Sequence, residues 1–223
     1  MSSSLIAAIR DSSCADVLAR WLPDLVAAGF RRVTVFHSLA QNGSGELDQL
    51  RPALDRLNLT TSSLGVETDL TLKRGEASAW LLAMAELRPT DVIVLRRRGA
   101  GALLDVLAEW SRVPVIALPD ARPPEPARGL ARPALVAGYR EEVVLAVARR
   151  VIREPVVIVA ADAHHALPEG TGAVISGPVS AGTPAAELLD GARCPVLLVT
   201  DRALRVAAPS NQTRDSAASV SEP

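Results

Sequence analysis

One segment of this chain occurs twice. Residues 90–120 align without a gap on residues 171–201, and eight of the paired residues are identical. Both copies end in the same skeleton, RVPVIALPD (112–120) and RCPVLLVTD (193–201), an apolar run that begins Arg-x-Pro-Val and closes with Asp. Any two strand–loop–helix–strand units look partly alike, but a shared loop length and a shared x-Pro-Val start favour an internal duplication. We therefore expect two related modules in tandem, with the second one trimmed.

Short apolar runs of strand length alternate with helical patterns along the chain. Strands are predicted at 5–9, 32–39, 66–75, 91–95 and 113–118, and again at 133–139, 155–161, 172–177 and 194–200. Pro23 and Pro52 should kink or break the helices that contain them. Strands separated by helices indicate a parallel sheet covered on both faces. The predicted fold is α/β, with two doubly wound parallel-sheet modules.

The same pattern predicts the module boundaries. A full module covers 1–120, a Pro- and Arg-rich linker 121–133, a truncated second module 134–202 and a polar, disordered tail 203–223. Between its second strand and the GAVISG strand, the second module has only a short loop where the first has a helix, a strand and another helix.

Composition narrows the classes of function. Hydrophobic residues make up 48 % of the chain and aromatic residues only 3 %, so the core must consist of Ala, Val, Leu and Ile. A formal net charge of −1 argues against nucleic-acid binding. Cys14 and Cys194 lie far apart, which fits free thiols in a reducing cytoplasm. The first residues match neither a signal peptide nor a membrane span, so we expect a cytoplasmic protein without membrane insertion.

Several segments together resemble the universal stress protein family. They are IRDSS after the first strand, the His-containing strand VTVFHSL, the helix in RGEASAWLLAMAEL, the strand DVIVL and the strand CPVLLV. The resemblance covers nearly all of residues 4–202. The family's fold is a five-stranded parallel sheet with helices on both faces, and its members pair through the last strand. The resemblance therefore implies an intramolecular pseudo-dimer in which 113–118 and 194–200 meet across a pseudo-twofold axis. It leaves open whether copies of the chain associate further into a homo-oligomer.

Many members of that family bind ATP through an Asp after the first strand and a Gly-x2-Gly-x9-Gly-Ser/Thr loop after the fourth. Glycines let backbone amides approach phosphate oxygens, and the helix that follows favours anions. This chain departs from the pattern, because Arg10 occupies the Asp position and Asp11 is displaced by one. The first loop, RRRGAGA (96–102), is several residues too short, and Ala102 replaces the Ser/Thr.

The second loop, SGPVSAGT (176–183), keeps its glycines but has only four residues between Gly177 and Gly182, where the family has nine. Both loops are therefore degenerate. The candidate nucleotide- or anion-binding residues are Asp11, Gly99, Gly101, Gly177, Gly182 and Thr183.

Arg96, Arg97 and Arg98 follow a parallel strand, at the sheet edge where doubly wound folds bind ligands. Three guanidinium groups could hold an acidic protein partner or a phosphorylated ligand. A solvated loop with ordinary surface ion pairs is the alternative.

No pattern of catalytic or metal-binding residues stands out. His164 and His165 are adjacent, so their side chains point in different directions and make a poor metal pair. Cys194 is expected to be a packed thiol, and Cys14 a more exposed one without a base. His37 has either a structural role or a place in a pocket. Three tryptophans should pack on the sheets from their helices: Trp21, Trp80 and Trp110.

Two functions follow. The first is a non-catalytic, universal-stress-type regulatory or adaptor protein that needs no cofactor and binds a protein partner or a small ligand. The alternative is an ATP- or AMP-binding stress sensor with at most slow hydrolysis. The two differ in whether the purified protein retains adenine nucleotide.

Overall fold

A computed structural model describes residues 3–40, 45–87, 91–121, 123, 130, 133–136, 141–152, 156–159, 167, 171–178 and 191–207. The strands are β1 Ser3–Ile9, β2 Phe30–Leu39, β3 Glu67–Arg74, β4 Val92–Arg96, β5 Val115–Leu118, β6 Pro133–Val136, β7 Val157–Val159, β8 Ala173–Ser176 and β9 Val196–Leu198. The helices are α1 Ser12–Ala27, α2 Glu46–Ser63, α3 Ala77–Leu87, α4 Gly101–Trp110, α5 Glu141–Ala148 and α6 Asp201–Ala207.

The strands form one sheet with the order β3-β2-β1-β4-β5-β9-β8-β6-β7. Neighbouring strands are parallel everywhere except at β5 and β9, which run antiparallel. At that seam Val115 faces Leu198 and Ala117 faces Val196. The predicted pairing of the two last strands is confirmed. It explains the duplicated segment, because each copy supplies the edge that covers the other.

Each side of the seam is a doubly wound unit. The first has the strand order β3-β2-β1-β4-β5, and the second has β7-β6-β8-β9, which is the same order without a counterpart of β3 among the described residues. The repeat is visible in the structure, since β4 and β5 align with β8 and β9. The predicted fold class is therefore confirmed, whereas the module boundaries stay a prediction.

Two helices contain the prolines that were expected to kink or break them. Helix α1 runs through Pro23 and α2 runs through Pro52. A proline inside a helix costs about 3 kcal/mol, and each fully buried leucine offsets about 1.5–3 kcal/mol. Leu22 and Leu25 flank Pro23 with no exposed surface, so burial outweighs the lost hydrogen bond. The predicted break or late start at Pro52 was therefore wrong, whereas the kink predicted at Pro23 stays a prediction.

The last described segment is also more ordered than the sequence indicates. Helix α6 continues to Ala207, beyond residue 203, where the tail was expected to begin. Thr200 caps the helix by accepting a 3.1 Å hydrogen bond from the Ala203 amide, and Ala203 and Leu204 are buried. The tail therefore does not begin at 203, and residues from 208 onward lie outside the described residues.

Apolar residues form two clusters on the two faces of the sheet, because successive strand side chains point to opposite faces. Leu5 and Ala7 belong to the cluster covered by α1 and α2, whereas Ile6 belongs to the one covered by α3 and α4. Trp21 is buried as predicted, and its indole N–H donates to the Pro119 carbonyl. Trp80 and Trp110 are instead 37 % and 52 % exposed. No helix in the described part of the chain has the length and apolar character needed to cross a bilayer.

Candidate functional site

A cavity of about 300 Å³ opens at the carboxyl ends of β1 and β4. The strand order switches between these two strands, because β2 and β3 lie on one side of β1 and β4 and β5 lie on the other. Open α/β sheets bind ligands at such a switch point. Most of the wall is apolar, and three arginines also reach it. The lining residues include Ala8, Ile9, Phe36, Ala77, Leu95, Ala100, Leu103, Arg10, Arg96 and Arg98.

Arg10 spans this cavity's edge. Its Nη1 atom donates a 2.8 Å hydrogen bond to the Gly99 carbonyl, and its Nε atom donates at 3.2 Å to an oxygen of Asp11. Gly99 has φ +77°, and a Cβ there would lie 3.0 Å from Arg10 Nη2. Gly99 therefore supplies a left-handed turn and makes room for a guanidinium of this chain.

Asp11 is the N-cap of α1. One carboxylate oxygen accepts hydrogen bonds from the Cys14 amide at 3.0 Å and the Ser13 hydroxyl at 2.5 Å. Partial burial acts to raise the pKa of Asp11, but these hydrogen bonds prevail and hold that pKa well below its usual range. Asp11 is not part of the cavity wall. Apart from its ion pair with Arg10, its described contacts are those of a helix cap.

Arg96 is held in the protein by Asp120. Its Nε and Nη2 atoms donate to the two carboxylate oxygens at 2.6 and 2.8 Å, and Nη1 donates to the Ser13 hydroxyl at 2.6 Å. The hydrogen bond with Arg96 lowers the pKa of Asp120 and raises that of Arg96 above its ordinary value. With 16 % of its side chain exposed, Arg96 is a structural cation at the cavity wall.

The other two arginines of the run make different contacts. Arg97 donates to the carbonyl of Ala192, which lies in the second unit. Arg98 has an 82 % exposed side chain and approaches Asp120 only to 3.8 Å. The three arginines therefore do not form one anion-binding cluster. Only Arg98 fits the alternative expectation of a solvated loop with ordinary surface ion pairs.

The cavity also borders the start of α4. Ala100 occupies the N-cap position and forms no side-chain hydrogen bond to the helix. Ala100, Ala102 and Leu103 line the cavity. The first amides of a helix lack partners within it and carry a partial positive charge. Gly101, predicted as a phosphate-loop glycine, is the first residue of this helix.

The second loop is only partly described. Gly177 follows β8, and its carbonyl accepts a 2.9 Å hydrogen bond from the Ser176 hydroxyl. Gly182 and Thr183, like His164 and His165, lie outside the described residues. Of the nucleotide- or anion-binding candidates in the first module, only Gly99 lines the cavity, whereas Asp11 caps α1 and Gly101 begins α4. The second loop is not tested by the described residues.

The two cysteines and His37 are all buried, and they differ in whether they line the cavity. Cys14 lines the cavity but is 8 % exposed, so its expected exposure was wrong. Burial raises the pKa of the Cys194 thiol to about 11, as suits a packed thiol. His37 is buried, and its Nδ1 lies 2.9 Å from the Ile9 carbonyl. Its neighbours Phe36 and Ser38 line the cavity instead, and the period of two in a strand is the signal that could have identified them.

Among the described residues, no group of three or more His, Cys, Asp or Glu side chains is placed to hold a metal ion. The charged side chains that line the cavity are arginines, whose guanidinium groups are hydrogen-bond donors. Donors of this kind attract a carboxylate or a phosphate rather than a cation.

The structure is similar to a universal stress protein from Archaeoglobus fulgidus DSM 4304. That protein is 14 % identical, with a TM-score of 0.66, and the match covers 90 % of this chain and 97 % of that chain. A functionally unknown protein from Pseudomonas aeruginosa PAO1 is 11 % identical, with a TM-score of 0.55 and coverage of 92 % and 97 %.

A third match is a universal stress protein family protein from Arabidopsis thaliana with AMP bound. It is 14 % identical with a TM-score of 0.40, and the match covers 52 % of this chain and 91 % of that chain. No protein-family model and no curated protein matches the sequence. At these identities the likeness concerns the fold alone. The chain therefore has the universal stress protein fold over nine-tenths of its length.

Proposed function

We propose that this chain is a non-catalytic regulatory or adaptor protein of the universal stress protein family, working in the cytoplasm without a required cofactor. One observation carries the proposal. Arg10 occupies the position where the family places its nucleotide-binding Asp, and it is bonded to the Gly99 carbonyl across the edge of the cavity. A carboxylate there accepts hydrogen bonds, whereas a guanidinium only donates and stays protonated, so it cannot serve as a general base.

The other polar groups of the cleft support the same function. Arg96 uses Nε, Nη1 and Nη2 on Asp120 and Ser13, and Asp11 caps α1. A triphosphate needs several donors that are free to turn toward it. Here Arg10 and Arg96 already have partners within the chain, so turning their guanidinium groups toward a triphosphate would require breaking existing hydrogen bonds.

A small anionic ligand suits the cavity better than ATP. The wall is largely apolar, while Arg10, Arg98 and the uncapped start of α4 supply positive charge at its edge. A regulatory protein could use such a cavity to bind an apolar molecule with one carboxylate or phosphate, and could change its affinity for a protein partner accordingly.

An adenine-nucleotide sensor for ATP or AMP is the second candidate. It is favoured by the cavity's volume of about 300 Å³, which lies at the lower end of the range for small-ligand sites. Slow hydrolysis belongs to this candidate only.

Nucleotide binding separates the two candidates. Purified protein is first checked for carried nucleotide by absorbance and chromatography, and then titrated with ATP, AMP and a cyclic dinucleotide by calorimetry. The regulatory function predicts no carried nucleotide and no heat of binding. Tight binding that is weakened in Arg10→Ala but kept in Arg31→Ala would favour a sensor that uses the first cavity. Binding lost in Gly182→Leu would place that site in the second module.

A further inference from the structure

Strand β3 is an edge strand of the sheet. It spans Glu67–Arg74 and lies at the end of the strand order, with β2 as its neighbour. Among the described residues no strand pairs with its other side, and proteins usually shorten or cover such an edge. Here the strand is eight residues long, and Leu70 on it is 51 % exposed.

The charges on β3 change sign halfway along the strand. Glu67 and Asp69 lie in its first half, and Lys73 and Arg74 in its second half. If β3 met an identical strand in parallel register, like charges would face each other, which is destabilising. In an antiparallel arrangement the acidic half of one strand lies along the basic half of the other. The strand is therefore charge-complementary to itself in one orientation.

The apolar residues of β3 are self-complementary in the same orientation. Thr68, Leu70 and Leu72 line a groove of about 400 Å³ between β3 and α2. A twofold axis perpendicular to the sheet keeps both copies' grooves on the same face. With the axis at Leu70, that residue meets its own copy and Glu67 lies opposite Lys73 of the second copy. With the axis at Thr71, Leu70 meets Leu72, and Asp69 lies opposite Lys73.

We propose that β3 pairs antiparallel with β3 of a second copy of this chain, forming a homodimer whose two sheets become one. The contact repeats between chains what β5 and β9 already do within one, where an antiparallel seam joins two otherwise parallel units. It covers the exposed edge and the half-exposed Leu70 together. Both copies use the same surface, so the assembly closes as a dimer.

Two charge-reversed variants test this pairing. The first carries Glu67→Lys with Asp69→Lys, so its edge is wholly basic. The second carries Lys73→Glu with Arg74→Glu, so its edge is wholly acidic. Sedimentation velocity over a concentration series should show a dimer for the wild type, a monomer for each variant alone, and a dimer again in an equimolar mixture of the two. The control variant, Asp105→Lys with Glu109→Lys, makes the same charge change as the first variant but at exposed positions of α4, and it should stay dimeric.

Several results would overturn the proposal. They are a wild type that stays monomeric at every concentration, a variant that dimerises alone, or an equimolar mixture that stays monomeric. Circular dichroism establishes that each variant is folded. Glu67 loses its ion pair with Arg32 in the first variant, but both side chains are more than half exposed, so little stability depends on it. If a double variant does not fold, Leu70→Lys takes its place and must yield a folded monomer.

Discussion

Arg96 and Asp120 form a two-armed ion pair between the ends of neighbouring strands, with hydrogen bonds of 2.6 and 2.8 Å. The duplicated segment does not repeat this pair. Arg96 aligns with Gly177, and Asp120 aligns with Asp201, which is the first residue of α6. The two copies therefore share strands but not the chemistry at the strand ends. Only the first unit has a positively charged side chain at this point.

Replacing Asp120 with Asn should lower the free energy of unfolding by about 2 kcal/mol, a magnitude typical of hydrogen bonds to charged groups. Arg96 is largely buried and would keep its charge without a paired carboxylate. Chemical denaturation followed by circular dichroism measures the change. Asp105→Asn, at an exposed position of α4, should leave the stability unchanged, and an equal loss in both variants would contradict the role of the ion pair.

Acid should reveal the same pair. Arg96 lowers the pKa of Asp120 in the folded state. The contribution of the ion pair to the free energy of unfolding is therefore complete above the unfolded-state pKa of Asp120, about 3.9, and disappears as the pH falls through its lower folded-state pKa. The stability difference between wild type and Asp120→Asn should therefore stay constant from neutral pH down to about pH 5 and shrink below about pH 4. A difference that grows on acidification would have the wrong sign for this ion pair.

Much of the fold can be predicted from the sequence, because inner strands such as β4, β5 and β8 are buried on both faces and appear as short apolar runs. The repeat also predicts which strands meet at the seam, and Ala117 does face Val196. Pro52 and the tail mislead because local propensity is outweighed by burial. Leu50, Ala53 and Leu57 of α2 are buried around Pro52, and α6 is fixed by the Thr200 cap and two buried side chains.

Gly99 and Gly101 offer a matched pair of substitutions. Gly99→Ala should lower stability by about 1 kcal/mol or more, because φ is +77° and the new Cβ would meet the Arg10 guanidinium. Gly101 begins α4, and a Cβ added there meets no atom within 4 Å. Gly101→Ala should be neutral or stabilising by up to about 1 kcal/mol. Thermal unfolding compares them, and equal effects would contradict the assigned role of Gly99.

The candidate site is less predictable than the fold. The sequence indicates that Arg10 replaces the family's Asp, and so predicts a departure from the family's ATP-binding pattern. It does not predict that Arg10 bonds to Gly99, which lies 89 residues away. Nor does it separate the roles of Arg96, Arg97 and Arg98, because adjacent side chains at a strand end diverge and their partners come from distant segments.

Thr200 and Thr68 should respond in opposite ways to the same change. The Thr200 hydroxyl is buried, donates to the Ser111 carbonyl at 2.5 Å and accepts from Ala203. Thr200→Val should therefore cost about 2 kcal/mol. The Thr68 hydroxyl is buried without a hydrogen-bond partner among the described residues, so Thr68→Val should be stabilising by about 1 kcal/mol. Denaturant titration of both variants measures the two signs, and a loss of stability in Thr68→Val would contradict the second assignment.

The seam between β5 and β9 gives the most severe test of the tandem architecture. Val196 is 2 % exposed and lies between Ala117 of β5 and Val174 of β8. A lysine there would remove an apolar side chain whose burial stabilises the fold by about 1.5–3 kcal/mol, and it would place a charge in the sheet. We therefore expect Val196→Lys to unfold the second unit, or to expose β5 and cause association. Val157→Lys makes the same substitution at a 56 % exposed position of the outer strand β7 and should be tolerated. Light scattering with thermal unfolding measures both variants. If Val196→Lys kept the wild-type stability and oligomeric state, the antiparallel seam would not join the two units in solution.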